Sequence, residues 1–106
     1  MNQHLNVIHR PDLGKFLIRL APGVYAFLKY ELTNGKMIIL ATYTPPEFRG
    51  RGIATLLTEH AVNWARDLGY KIVPQCSFAV AFFKKRKDLQ YLLDDEYRSR
   101  MEINST

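Results

Sequence analysis

Pro45-Pro46-Glu47-Phe48-Arg49-Gly50-Arg51-Gly52-Ile53-Ala54 divides this chain into two patterns. Upstream, short apolar stretches at 5–9, 15–20, Val24 to Leu32 and Met37 to Thr44 are separated by turn signals: Asp12-Leu13-Gly14, Pro22-Gly23 and Asn34-Gly35. Asn-Gly is the strongest of these, because both central positions of a type I′ hairpin turn need positive φ. The upstream half therefore reads as an antiparallel meander of three or four strands. Pro45-Pro46 ends it, since proline has no N–H for a sheet ladder. Downstream, Ile53, Leu56, Leu57, Ala61, Trp64, Ala65 and Leu68 recur at three- and four-residue spacing, which predicts an amphipathic helix over Gly52–Leu68 stopped by Gly69. Lys71–Gln75 reads as a buried strand, Phe78–Lys87 as a short helix, and 94–106 as a polar tail that frays. The fold class is mixed α/β (α+β): an antiparallel N-terminal meander, one long central helix, one more strand and a short C-terminal helix. The strand–helix–strand unit is expected to be right-handed.

Between strand and helix, Arg49-Gly50-Arg51-Gly52 has a definite physical meaning. The first N–H groups of a helix lack internal partners and carry the positive end of its dipole. Glycines let an anion approach that backbone closely, and the two arginines add charge. The pattern suits a diphosphate. It is not a Walker A loop, which needs a following Gly-Lys-Ser/Thr. Nor is it the dinucleotide fingerprint, because Thr55 stands where a third glycine belongs. A loop that merely caps a helix is the alternative.

Bulk properties narrow the field. The 106 residues, 47% apolar and 12% aromatic, allow one domain, expected over 1–93, with a single core. A formal charge of +5 favours anionic partners without choosing among them. One cysteine, no signal-peptide pattern and no apolar run of membrane-spanning length make a soluble cytoplasmic protein the expectation. His4, His9 and His60 are too scattered for a metal site, so no metal is expected.

Arg49-x-x-Gly52-x-Ala54 resembles the Arg/Gln-x-x-Gly-x-Gly/Ala signature of the GNAT acetyltransferases. From Phe16 to Leu93 the chain is similar to the minimal YjdJ-like branch of that superfamily. Thr42, Pro45, the loop and Pro74-x-Cys76-Ser77-Phe78 carry the likeness. The resemblance implies an acetyl-CoA-dependent N-acetyltransferase. The backbone of Ala41, Thr42, Tyr43 and Thr44 would pair with the pantetheine arm of coenzyme A. The amides of Arg49, Gly50, Arg51, Gly52, Ile53 and Ala54 would hold its pyrophosphate. Lys71–Gln75 would diverge from Ala41–Thr44, with the thioester in the gap, and Pro45-Pro46 suits such a splay. Phe83 and Arg86 complete the expected coenzyme contacts. Arg86 is the one contact expected from the run Lys84-Lys85-Arg86-Lys87, which otherwise reads as a solvated helix end.

Two departures bear on catalysis. The tyrosine acid of broader GNAT enzymes is replaced by Phe82 and Phe83, and the histidine that the branch places before the threonine is Ala41. Cys76, just before a helix start, is the remaining candidate, as nucleophile or as proton donor to the leaving thiolate. A lone cysteine acting as a small apolar side chain is the alternative. Two other functions compete: a coenzyme A-binding module without catalysis, and a basic nucleic-acid binder. Against the latter, the aromatic residues fall mostly at core-periodic positions. The acceptor amine is unspecified. A short chain leaves the site open, which suits a protein or peptide amine.

Overall fold

Asn34 and Gly35 turn the chain with φ of 50° and 75°, and the hairpin they close is the centre of the sheet. In the computed structural model, which describes residues 5–98, five strands lie in sequence order: β1 (Val7–Arg10), β2 (Lys15–Ala21), β3 (Val24–Thr33), β4 (Lys36–Tyr43) and β5 (Lys71–Pro74). β1 to β4 are antiparallel and β5 is parallel to β4. A parallel neighbour requires a crossover, which α1 (Ile53–Asp67) provides; α2 (Ser77–Lys85) follows β5. The expected meander, long helix, strand and short helix are all present.

Alternation assigns one face of the sheet to the core. Phe16, Ile18, Ala26, Leu28, Tyr30, Met37, Ile39 and Ile72 are buried there, as the two-residue period of strands dictates. Against them α1 lays Ile53, Leu57, Ala61, Val62 and Ala65. The predicted helical stripe differs at its end. Leu68 caps the helix and is 56% exposed, because the chain turns there before the stripe can continue. Thr58 is the buried polar residue of α1, and its hydroxyl donates to the Ala54 carbonyl at 2.8 Å.

Beyond α2 the chain stays packed. A 3-10 stretch, Lys87–Leu92, buries Leu89 and Leu92, and Leu93 bridges to Ile72 on the outer side of β5. The Asp94 N–H donates to the Ile72 carbonyl at 2.8 Å, the Asp94 carboxylate meets Lys36 Nζ at 2.9 Å, and residues 95–98 form a helical turn. The sequence placed a fraying tail from 94. The hydrogen bond and ion pair of Asp94 hold its start against β4 and β5, while 99–106, like His4, lie outside the described residues.

Candidate functional site

β4 and β5 pair only from Lys36↔Lys71 to Ile39↔Pro74. The last link is a shared acceptor: the Ile39 carbonyl takes the N–H of Gln75 at 3.0 Å and of Cys76 at 3.3 Å. Past this point β4 runs on with β3 alone. Lys29 faces Ala41, Leu28 faces Thr42 and Phe27 faces Tyr43, and the register shift leaves Leu40 as an extra residue on β4. Such a bulge adds local twist, here at the residue where β5 turns away. The expected parting of the two strands is present, and it leaves Ala41 to Tyr43 paired on one side.

Cys76 stands at the vertex. It is the N-cap of α2, in extended conformation, and its Sγ accepts the Ala79 N–H at 3.4 Å. The thiol is half-buried. It packs against the edge of the core and stays partly open to solvent.

At the far end of the free stretch lies the glycine-rich loop. Pro46–Phe48 makes one 3-10 turn, after which Gly50 and Gly52 take φ of 80° and 77°. No atom approaches within 4 Å of a Cβ built on either glycine. They are required by backbone conformation, and the space above them is open. Gly52 is the N-cap of α1 and no side chain caps the helix, so the first-turn N–H groups face outward without an internal partner. One expectation changes. The Arg49 N–H already donates to the Pro46 carbonyl at 3.3 Å, and its Nε donates to the Thr44 carbonyl at 2.9 Å. Arg49 thus offers its terminal guanidinium nitrogens, not its amide. Arg51 leans back over the Phe48 ring at 5.2 Å, with one nitrogen 3.4 Å from the Glu47 carbonyl.

Between the first turn of α1 and one face of α2 runs a groove of about 170 Å³, lined by Thr55, Phe78, Ala81, Phe82, Lys85 and Arg86. Arg86 closes one end. Its guanidinium meets Asp88 and, across the groove, Glu59 of α1, each at 3.0 Å. Hydrogen bonding from Arg86 holds the Asp88 carboxyl below its usual range. Phe83 is a correction: it is fully buried in the core and does not reach the groove. One residue of helix rotates a side chain by about 100°, so its neighbour Phe82 takes that place. Thr55, Phe78, Ala81 and Lys85 are not among the coenzyme contacts expected from sequence. Their signal was the spacing of Phe78, Ala81, Phe82 and Lys85 along one helical face.

The remaining histidines lie elsewhere. His60 is exposed on α1, and His9 stacks on Phe16 with ring centroids 3.9 Å apart. Among the described residues no group of three or more histidine, cysteine or acidic side chains is placed to hold a metal, and no helix is long and apolar enough to cross a membrane.

Comparison with known proteins bears on this geometry. A family model described as GCN5-related N-acetyl-transferase matches residues 15–92. The NMR solution structure of a protein from Staphylococcus aureus described as GCN5-like superposes with a TM-score of 0.70 at 25% identity, over 88% of this chain and 91% of that one. No curated protein matches the chain.

Proposed function

Since the chain belongs to the GCN5-related N-acetyltransferase family, whose acyltransferases generally use acetyl-CoA, we propose that it binds acetyl-CoA across the parted strands and transfers the acetyl group to an amine. The carrying observation is the separation of β4 from β5 after Ile39, with an uncapped helix start at one end of the free stretch and a thiol at the vertex. Placement in the minimal YjdJ-like branch rests on Pro74-x-Cys76-Ser77-Phe78.

The residues fit the coenzyme. Ala41 to Thr44 offer strand backbone to the amides of pantetheine. Gly50 and Gly52 keep the approach to the α1 amides clear, and those of Ile53 and Ala54 would hold the pyrophosphate, joined by the guanidinium groups of Arg49 and Arg51. Thr55, Phe78 and Phe82 supply an apolar wall, with Arg86 at its end. When bound, acetyl-CoA supplies the acetyl group as a thioester. At the vertex, the Cys76 Sγ would act on the thioester either as nucleophile or as proton donor to the departing sulfur. Negative charge on that Sγ would be met by the Ala79 N–H and the positive end of α2. No side chain is assigned as base, so the amine is taken to arrive deprotonated. The groove and the unpaired stretch of β4 are open to solvent, which suits a peptide or protein amine.

Calorimetry with acetyl-CoA and coenzyme A, followed by thiol-release assays over a panel of amines, tests this reading. Cys76→Ala is expected to abolish turnover and leave acetyl-CoA affinity nearly unchanged. Turnover near wild type would remove Cys76 from the chemistry. Mass spectrometry of wild type incubated with acetyl-CoA alone separates two roles: an acetyl group on Cys76 marks a nucleophile, and its absence a proton donor. Phe82, lining the groove where broader GNAT enzymes carry a tyrosine acid, favours a second reading, a coenzyme-binding module. Binding without transfer to any amine would establish that one, and absence of binding would sink both.

A further inference from the structure

The helix α1 covers one face of β1–β3, and the other face carries a pattern of side chains to which the acetyl-transfer site assigns no role. The register aligns Ile8, Leu17, Phe27 and Tyr43 in one row across four strands. Ile8 is 43% exposed and Tyr43 is 42% exposed. Two residues before Phe27 on the same strand and face, Tyr25 is 41% exposed. Phe27 and Tyr43 have ring centroids 5.7 Å apart. Around these rings the same face presents Arg19, paired in register with Tyr25, and Lys15, paired with Lys29. Lys15 Nζ lies 4.9 Å from the Phe27 ring centroid. Nearby carboxylates are few. Asp12 is bound to Arg10 at 2.7 Å, and Glu31 stands one outward position beyond Lys29.

Outward aromatics on neighbouring strands, with cations between them, form a surface for unpaired bases and their phosphates. Stacking needs a bare π-face, which every base has, and the lysines and arginines neutralise the backbone. We propose that this uncovered sheet face binds single-stranded nucleic acid, with bases on Tyr25, Phe27 and Tyr43 and phosphates on Lys15, Arg19 and Lys29. Charge selects this occupant. A second copy laid face to face would bring two sets of these cations together. An acidic peptide would satisfy the cations and leave the rings unused. A duplex keeps its bases stacked inside and has none to offer. A base arriving on Phe27 displaces the Lys15 ammonium sideways, towards the adjoining phosphate. Core-periodic aromatics weigh against a nucleic-acid surface. Phe16, Tyr30, Phe82 and Phe83 are of that kind, whereas Tyr25, Phe27 and Tyr43 belong to the opposite phase of the same alternation.

Fluorescence anisotropy of the full chain with labelled oligo(U) and oligo(dT) tests the proposal, with a duplex of equal length and poly-glutamate as competitors. Binding of either single strand is expected, the two arms showing which sugar is preferred. The affinity should fall with salt at a log–log slope of about −2, three phosphate contacts at about −0.7 each. Tyr25→Ala and Lys29→Glu should each weaken binding about tenfold, while acetyl-CoA affinity and thermal melting stay as in wild type. Three results would overturn it: no binding at low salt, competition by duplex or poly-glutamate as strong as by single strands, or binding indifferent to Tyr25→Ala. A dimer in sedimentation that Tyr25→Ala dissolves would also overturn it, by making a second copy the occupant.

Discussion

Gly52 begins α1 at φ 77° and ψ 14° with nothing near a would-be Cβ, so the cost of a side chain there is conformational. An L-residue in this region loses about 1–2 kcal/mol. Gly52→Ala is therefore expected to lower unfolding stability by about 1 kcal/mol in urea titrations, and Gly52→Asn by less, since asparagine tolerates the left-handed region. Acetyl-CoA affinity should fall with both, because each puts a side chain over the α1 amides. Equal affinity in all three proteins would remove this loop from the coenzyme site. The need for glycine at position 52 was legible in the sequence, as were the positive φ values at Asn34 and Gly35. The spent amide of Arg49 was not, because its partner is the carbonyl of Pro46, and a single 3-10 turn leaves no periodic trace. Phe82 and Phe83 make the same point. Adjacent in sequence and identical in chemistry, they are told apart by the rotation of α2: both are buried, but Phe82 also lines the groove and Phe83 does not.

α1 and α2 contribute the groove jointly, and neither contains it alone. Thr55 lies in the first turn of α1 and is exposed, whereas Phe78, Ala81, Phe82 and Lys85 come from α2. Thr55→Trp would fill the space without disturbing the core. It is expected to change stability by no more than about 0.5 kcal/mol, as surface substitutions do, and to weaken acetyl-CoA binding more than tenfold by calorimetry. Unchanged affinity would detach the groove from the site. The tie between the helices, Arg86 to Glu59 at 3.0 Å, joins two half-exposed side chains. Exposed pairs of this kind add little to stability, and the pair acts by fixing where the groove ends. Strand parting belongs to this scale too. β5 stops at Pro74 and Cys76 turns into α2, while β4 continues to Tyr43 because β3 still pairs with it.

Across the whole molecule, the edge strand is fastened by an aromatic cluster. The His9 ring stacks on Phe16, meets the edge of Trp64 at 4.5 Å between centroids, and shares a 2.6 Å hydrogen bond with the Tyr30 hydroxyl. β1, β2, β3 and α1 thus meet at one side chain. Burial lowers the His9 pKa below its ordinary value. Below about pH 6.5 the unfolded chain then takes up a proton that folded His9 resists. Stability is present above that value and is lost as pH falls, until the folded ring itself protonates. The melting temperature should drop from about pH 7 to about pH 5 more steeply in wild type than in His9→Phe. Parallel profiles would show that His9 does not govern the acid response. At the other edge, a hydrogen bond from Lys36 holds the Asp94 carboxyl below its usual range and fastens residues 94–98 to the sheet.

Local physics made most elements readable from the sequence. Alternation marked the strands, three- and four-residue spacing marked α1, and Asn34-Gly35 and Gly69 marked a turn and a stop. Each rests on neighbours within a few residues, which a sequence displays. The anchoring of Leu89, Leu92 and Leu93 beside β5 depends on a strand some twenty positions away, so the sequence carried apolar letters there without a period to interpret. The groove, the end of strand pairing at Ile39 and the outward phase of Tyr25, Phe27 and Tyr43 depend on which face α1 covers. Only the tertiary structure decides that, because one sheet face can be buried by this helix and the other is left to solvent.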